Sequence, residues 1–466
     1  MKRPLRNMLS TAGADVASRV LGFAATAYLA QTLAPSAFGA MSIGLSVLSS
    51  IVVLASPGLH MKGIRDVAAD PGELPDYAGS IVSLRLALSA ALIVVTAVVC
   101  LLFVESYLTR TVVIGFSLSA LPFALSLDWY LQGKEQLVAV SAGRVLMYVV
   151  YFVLAVLLVS DPQDVMWTAA AYGMANVSSA VLFIYMFRTR VGRLSVQVQT
   201  AEWKKLLKES LPFGVFAMLS QAIMNLPVLL VGLMLSSGEV GYFSAAMKLI
   251  FFALMLDRML YALFYPVITR YRRSSDKKFS YLAGLAVRVT LLISIPTVVI
   301  GGMFASDIIS LIFGSAYIQA SGSLQLLLFY FVFTTLNTIF MCVLIADGRE
   351  REFARIMTVG TVVLLALCVV LTSALGITGT SLSLAVGEGI MTLLLVMKVR
   401  ETRLLGFLRN SLPALSAGAI MVGTMLVLKG AGAAVIPVAV LAFAGCLLAF
   451  GGLSGGDIRF LRERFV

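Results

Sequence analysis

Charge is what this chain has least of. Only 12% of its 466 residues are Asp, Glu, Lys or Arg, while 60% are hydrophobic. Soluble domains carry about twice that density of charge. So few ionised groups cannot cover a water-facing surface of this size, and a soluble enzyme is excluded. Histidine is scarcer still. The single residue, His60, leaves no basis for a His-rich metal centre or a histidine-based triad. The four cysteines, Cys100, Cys342, Cys368 and Cys446, each lie in an apolar run without Cys-x-x-Cys spacing and read as inert buried thiols. A glycine-rich phosphate loop is missing, which argues against a motor that hydrolyses ATP itself. No catalytic residue, cofactor or metal is expected.

Long apolar runs are what the chain has in abundance. Fourteen segments approach the roughly 20 residues that a bilayer span needs. They cover about 10–32, 39–59, 81–103, 111–131, 138–160, 166–187, 211–235, 243–266, 280–303, 323–346, 354–374, 378–397, 411–428 and 433–452. The start, MKRPLRN, has the basic head of a signal peptide. The segment behind it carries Asp15 and Arg19 and runs too long for a cleaved signal, so it is expected to stay as the first span.

The charge balance of +12 suits nucleic acid or a membrane. Here the basic residues lie between apolar runs, which selects the membrane and leaves no nucleic-acid partner. With both termini cytoplasmic, 27 of the 35 Lys and Arg residues fall on inner segments. Two, Arg110 and Lys429, fall outside, and six lie within spans. A missed or extra span scrambles this asymmetry. The expected architecture is therefore all-α, polytopic, with 14 transmembrane helices and both termini inside. The longest outer loop, about 305–323, is too short for a separate catalytic domain. That favours a transporter over a membrane glycosyltransferase, polymerase or ligase.

An internal repeat organises the spans. Leu33-Ala-Pro-Ser-Ala-Phe-Gly39-Ala-Met-Ser42 matches Leu235-Ser-Ser-Gly-Glu-Val-Gly241-Tyr-Phe-Ser244 at Leu, Gly and Ser, with a constant offset of 202. Each segment joins the first two spans of a six-span block. A second echo pairs Gly133-Lys134-Glu135 with Gly348-Arg349-Glu350 at the fourth-to-fifth connection. Six is even, so the copies share an orientation, and a cavity is expected between two lobes. The expected division is an N-lobe over 1–190, a cytoplasmic amphipathic linker over 191–210, a C-lobe over 211–400, and two further spans with a tail over 401–466. In the linker, Trp203, Leu206 and Leu207 are expected on lipid while Lys204, Lys205 and Lys208 meet anionic head groups.

These pieces resemble a known family. Leu33–Ser42, Gly58–Arg65, Asp128–Glu135, Gly238–Ala246, Tyr265-Pro266-Val267 and Leu311–Gly314 with Tyr317 are similar, in order and spacing, to the Wzx-type polysaccharide transporters. That family belongs to the multidrug/oligosaccharidyl-lipid/polysaccharide exporter superfamily. The resemblance implies two six-helix lobes that alternate between inward- and outward-open states. It implies a flippase that moves polyprenyl-diphosphate-linked oligosaccharide outward across the bacterial cytoplasmic (inner) membrane, for O-antigen, lipopolysaccharide or exopolysaccharide synthesis. Membrane lipids and the polysaccharide polymerase machinery are the further partners it implies. Its motifs are mostly turns and locate no binding residue.

The ionisable residues inside spans are the candidate sites, because each costs about 2.5–3.5 kcal/mol at bilayer depth unless it faces protein or water. The basic set, Arg19, Arg85, Arg144, Lys248, Arg258 and Arg288, suits a diphosphate. The acidic set, Asp15, Asp128, Asp257 and Glu388, offers ion- or proton-coupling sites. Simpler roles compete. Asp15 and Arg19, four apart on one helical face, can neutralise each other. Arg85, Asp128 and Lys248 lie near span ends and can snorkel to the interface. Pro227 is the candidate hinge in the seventh span, with a static kink as the alternative. Two other functions remain open: a cation-coupled small-molecule or drug exporter of the same superfamily, and a membrane polymerase or ligase. A cavity for cationic drugs should be net acidic, whereas this set is net basic.

Overall fold

A computed structural model describes residues 2–70, 75–195, 198–272, 275–400, 406–428 and 434–449. Among them no strand occurs and helices account for nearly every residue. Eight are long and apolar enough to cross a membrane, and shorter apolar helices follow at Met224–Met234, Leu412–Val427 and Val435–Leu447. Each of the fourteen expected segments is mostly helical over its described residues, with breaks at 56–58, 119, 125–127 and 254 inside the second, fourth and eighth.

The chain divides into two compact units. The first comprises Met1–Ser244 with Ile312–Tyr317, and the second Ala245–Leu311 with Ile318–Val466. In the first unit the principal helices are α1 (Lys2–Thr32), α2 (Pro35–Ala55), α3 (Leu59–Ala69), α4 (Pro75–Phe103), α5 (Tyr107–Leu118), α6 (Ala120–Ala124), α7 (Asp128–Gly133), α8 (Leu137–Leu158), α9 (Val165–Arg190) and α10 (Thr200–Met234). α11 (Ser237–Ala253) crosses from the first unit into the second. The second continues with α12 (Met255–Arg272), α13 (Asp276–Met303), α14 (Ala305–Phe313), α15 (Ser321–Ala346), α16 (Glu350–Arg400), α17 (Gly406–Val427) and α18 (Val435–Ala449).

Close glycine contacts set the helix directions. A Cβ on Gly22 of α1 would lie 2.7 Å from the Tyr148 ring of α8. Asp15 meets Arg144 near one end of this pair, and Tyr28 Oη donates to the Val159 carbonyl at the other. Contacts that rise together in number mean that α1 and α8 run parallel, as the first and fifth spans must. α2 and α10 run antiparallel, because Ile43 packs on Gly232 while Gly58 packs on Ser210 and Gly214.

α16 is a hairpin rather than one rod. Gly376 breaks it with φ 62° and ψ −143°, a conformation closed to residues bearing a Cβ. Beyond the turn the chain retraces its path: Thr372 and Thr380 share a hydrogen bond of 2.7 Å, Gly387 packs on Leu364, and Gly360 packs on Met391. The expected eleventh and twelfth spans are its two arms.

Two expectations change. The linker does form a helix at 200–210, but it is the first three turns of the 35-residue α10. Leu206 is 3% exposed in the core that contains Leu59, Val67 and Ala78, and Trp203 Nε1 donates to Ser83 Oγ at 3.1 Å. Both side chains therefore pack on protein rather than lipid. The second echo also shifts register. Leu131 to Gln136 and Leu344 to Arg349 close equivalent helix ends, each through an i+5 and an inner i+3 backbone bond. The left-handed residue is Glu135 (φ 57°) in one and Gly348 (φ 75°) in the other. Glu135, not Gly133, is the counterpart of Gly348. Gly133 serves packing instead, because its hydrogen faces the Val67 side chain, where a Cβ would come within 2.8 Å.

Candidate functional site

The first unit gathers three of the predicted charges. Asp15 Oδ2 accepts Arg19 Nε at 2.8 Å, and Asp15 Oδ1 accepts Arg144 Nη1 at 2.9 Å. The side chains are 38%, 31% and 47% exposed, so none of the three is sealed inside protein. Beside it, Arg144 and Asp128 line a cavity of about 100 Å³ with Ser126, Asn176 and Ser179. Ser126 Oγ donates to Asp128 at 3.0 Å. Asp128 is thus half-buried at a cavity of mixed polar and apolar lining.

Arg85 is a structural clamp. It is 3% exposed, and its guanidinium donates to the Phe123 carbonyl at 2.9 Å and the Ser126 carbonyl at 3.1 Å. Those carbonyls lie where the chain breaks between α6 and α7, so Arg85 replaces helix hydrogen bonds that the break removes. It neither snorkels nor faces cargo. His60 lies close by; burial holds it below the ordinary histidine range, opposed by Asp128 and assisted by Arg85 and Arg144.

A further charged group ties α3, α4 and α10 together. Lys62, 4% exposed, bridges Asp66 at 2.6 Å and Glu209 at 2.8 Å. Tyr77 Oη donates to Asp66 at 2.7 Å, and Ser80 Oγ donates to Glu202 at 2.8 Å. Burial lowers the Lys62 ammonium, but the two carboxylates outweigh it and lift it above the ordinary lysine range. Burial raises Asp66, and the bonds from Lys62, Tyr77 and Arg65 outweigh it in the other direction. Glu209 is held below its ordinary range chiefly by its bond from Lys62.

The second unit holds an acidic group with neutral partners. Glu388, on α16, is 6% exposed. Its Oε2 accepts Asn337 Nδ2 from α15 at 2.6 Å, and Thr392 Oγ1 donates to Asn337 Oδ1 at 2.8 Å. Asp257, on α12, is near enough for its charge to act on Glu388; Thr338 hydrogen-bonds its carboxyl, while its buried Oδ1 has no hydrogen-bond partner among the described residues. Next to Gly389, an apolar hollow of about 540 Å³ opens between α15 and α16, lined by Phe329, Phe333 and Ile390 among others.

The remaining predicted residues lie on α10, α11, α12 and α13, and Arg258 is near enough to its neighbour Asp257 for its charge to act on it. Lys248, on α11, makes no hydrogen bond or ion pair with any described residue. Arg258 is exposed on α12 and Arg288 is half-buried on α13. Pro227 lies inside α10, which continues through it; Asn225 Nδ2 donates to the Gln221 carbonyl one turn earlier. Asn337, Thr392, Asn176 and Lys62 escaped the sequence reading. An asparagine in the middle of the run LLLFYFVFTTLNTIF was the one available signal for the first.

The first unit also carries a junction that joins distant sequence. A Cβ on Gly39 would lie 1.8 Å from the Ser237 carbonyl oxygen, and one on Gly241 would lie 2.0 Å from that of Pro35. Tyr317, 1% exposed, donates from Oη to the Leu33 carbonyl at 3.1 Å and meets the rings of Phe38 and Tyr242 edge-on. Gln31 Nε2 donates to the Ile312 carbonyl at 2.8 Å.

Long apolar helices, running parallel and antiparallel and broken in the fourth, define a multi-span membrane protein. The chain belongs to the polysaccharide biosynthesis protein family, whose model matches residues 5–272. Its fold is that of the multidrug/oligosaccharidyl-lipid/polysaccharide exporter superfamily. The lipid II flippase MurJ in an inward closed conformation superposes with a TM-score of 0.73 at 14% identity, over 97% of this chain and 99% of that one. An inward-facing multidrug resistance MATE transporter gives 0.68 at 16% identity, over 84% and 96%. An outward-facing MATE transporter gives 0.52 at 14% identity, over 87% and 96%. No curated protein is similar enough in sequence to count as a match.

Proposed function

We propose that the chain is a flippase for polyprenyl-diphosphate-linked oligosaccharide, carrying it from the cytoplasmic to the outer leaflet of the bacterial inner membrane by alternating access. Fourteen spans with both termini cytoplasmic accommodate the basic-residue asymmetry and the α16 hairpin together. The observation that carries the cargo reading is the Arg19–Asp15–Arg144 group, net cationic, accessible and placed on two spans of a family member. A guanidinium offers a planar fork of donors that matches phosphate oxygens. MurJ, one solved protein of similar fold, is named for lipid II, and that supports a lipid-linked cargo here. O-antigen, lipopolysaccharide or exopolysaccharide synthesis is the setting we assign, with polymerase machinery as a neighbour. The membrane potential favours outward movement of an anionic head by about 2.3 kcal/mol per charge per 100 mV. Glu388 and Asp257 are the acids we assign to ion or proton coupling.

The test is export in a strain lacking the gene. Replacing Arg19 and Arg144 together by Gln should leave folded protein in the membrane and trap lipid-linked units on the cytoplasmic side. Full export by that variant would remove the phosphate clamp. A drug exporter would instead move cationic dyes, and a ligase defect would accumulate lipid-linked units outside.

A further inference from the structure

The cavity beside Arg144 has three walls, all in the first unit. α8 supplies Val140, Arg144 and Met147, at the i, i+4 and i+7 spacing of one helical face. α9 supplies Asn176, Ser179 and Phe183, at i, i+3 and i+7. The third wall is the break between α6 and α7, which contributes Ser126 and Asp128. Gly143 admits the Phe183 ring, where a Cβ would come within 2.3 Å, and so brings α9 onto α8 beside the cavity.

The polar groups in these walls keep bonding capacity to spare. Asn176 is 6% exposed; its Nδ2 donates to the Tyr172 carbonyl at 2.8 Å, leaving Oδ1 to accept. Asp128 takes one bond on each oxygen, from Ser126 at 3.0 Å and from Gln132 at 3.5 Å. An ionised carboxylate has about four acceptor sites, so it can take more. Ser179 Oγ has no hydrogen-bond partner among the described residues. Arg144 spends Nη1 on Asp15 and keeps further donors in its fork.

Size and charge narrow what can enter. At about 100 Å³ the cavity has the volume of about three waters. That suits one substituent of a sugar and not the ring. A hydroxyl donates and accepts at once, so its hydrogen can go to Asp128 or Asn176 while Arg144 or Ser179 donates to its oxygen. A carboxylate has no hydrogen to give and would face the Asp128 charge. Arg144 does not offset this, because Asp15 already pairs with it. In a sugar diphosphate the ring is joined to phosphorus through a single oxygen. A phosphate gripped by Arg144 therefore puts the ring beside this cavity.

We infer that the cavity is a subsite for an uncharged, hydroxyl-bearing substituent of the sugar attached to the diphosphate, with Asp128 and Asn176 as its acceptors and Ser179 setting its depth. The inference rests on the cargo reading above and adds a selectivity to it. A neutral sugar is accepted next to the phosphate, and a uronic acid is rejected.

The experiment uses the full-length purified protein and binding of four probes: geranylgeranyl diphosphate, geranylgeranyl-diphospho-glucose, the corresponding glucuronic acid conjugate, and geranylgeraniol. The two conjugates differ only in a hydroxymethyl against a carboxylate. Wild type should bind the glucose conjugate about tenfold more tightly than the glucuronic acid conjugate. Asp128→Asn keeps the shape and removes the charge, and should bring that ratio close to one. Ser179→Leu fills the cavity and should weaken the glucose conjugate about tenfold relative to geranylgeranyl diphosphate. Ser179→Val, a smaller intrusion, should do the same in part. Melting curves show which variants are folded, and a ratio of two probes on one variant does not depend on how much of it is active. Equal binding of the two conjugates by wild type, with diphosphate still preferred to alcohol, overturns the subsite and leaves the cargo reading standing. A wild-type ratio that survives in Asp128→Asn and in both Ser179 variants does the same. Equal binding of diphosphate and alcohol by wild type overturns the cargo reading and the subsite together.

Discussion

Gly39 and Gly241 stand 202 positions apart and make reciprocal contacts: Gly39 abuts Ser237, and Gly241 abuts Pro35, itself the counterpart of Ser237 at the same offset. Each glycine hydrogen touches a backbone carbonyl, which cannot rotate away as a flexible side chain can. Gly39→Ala and Gly241→Ala should therefore each force the helix ends apart, at about 1–3 kcal/mol. Because both substitutions open one contact, the double variant should cost less than the sum. Thermal melting of the purified single and double variants checks this, and full additivity would contradict a shared contact.

Lys62 pins α3 to α10 through Glu209 and to its own helix through Asp66. The two carboxylates titrate below their ordinary range and the ammonium above its own. The stabilisation from the carboxylates is present above their unfolded values and disappears as pH falls through the depressed folded ones. The stabilisation from Lys62 is present below the ordinary lysine value and disappears as pH rises through the raised folded one. The tie should thus hold across the neutral range and fail at both extremes. Breaking a buried ion pair costs roughly 3–5 kcal/mol, and with partly exposed carboxylates Lys62→Met should cost about 2 kcal/mol. The wild-type advantage over Lys62→Met, measured by melting from pH 3 to 11, should be flat in the middle and shrink at each end.

Arg85 and Arg144 look alike in sequence, each a lone arginine in an apolar run, yet the fold uses them oppositely. Arg85→Met removes a buried charged donor from two carbonyls and should cost about 2–3 kcal/mol with loss of folded protein. Arg144→Gln changes an accessible side chain and should leave the melting temperature within about 0.5 kcal/mol of wild type, as surface substitutions do. Detergent-extracted yield and melting of the two variants decide whether the difference in burial carries this meaning.

The resemblance to the family was legible because its motifs are contact points. Leu33–Ser42, Leu235–Ser244 and the segment ending at Tyr317 converge at one end of the first unit. Gly58–Arg65 and Asp128–Glu135 pack on each other elsewhere in it, where Gly63 admits the Trp129 ring and Gly133 admits Val67. Such sites demand glycine and aromatics at fixed spacing, so they survive as short strings in one sequence. Span positions were legible because lipid forces a continuous apolar run. What one helix does to the next was not. Trp203 and Leu206 have the spacing of a lipid-facing stripe, and only α3 and α4 show that protein covers it. The Gly133 echo misled because a Schellman turn needs a left-handed residue, and Glu135 fills that position without being glycine. Arg85 was unreadable for a related reason. Its partners are backbone carbonyls at a helix break nearly forty residues away, and no residue type announces them.

Glu388 offers the sharpest test of the coupling assignment. The carboxylate accepts from Asn337 and shares its surroundings with Asp257, yet no cation among the described residues pairs with it. Glu388→Gln keeps an acceptor for Asn337 Nδ2 at nearly the same volume while removing the charge. The variant should fold and melt as wild type or slightly higher, because a buried ionisable group is replaced by a neutral one. It should lose the acceleration that a proton or sodium gradient gives to transport, while transport down the membrane potential persists. Asn337→Leu should act differently. It strands the carboxylate without its donor and leaves Thr392 Oγ1 only the Glu388 carbonyl as acceptor, so it should cost about 1–3 kcal/mol of stability as well as coupling. Proteoliposome uptake with and without an imposed gradient, run beside melting of both variants, separates the two effects. A Glu388→Gln variant that still responds to the gradient would move coupling to Asp257 or Asp128.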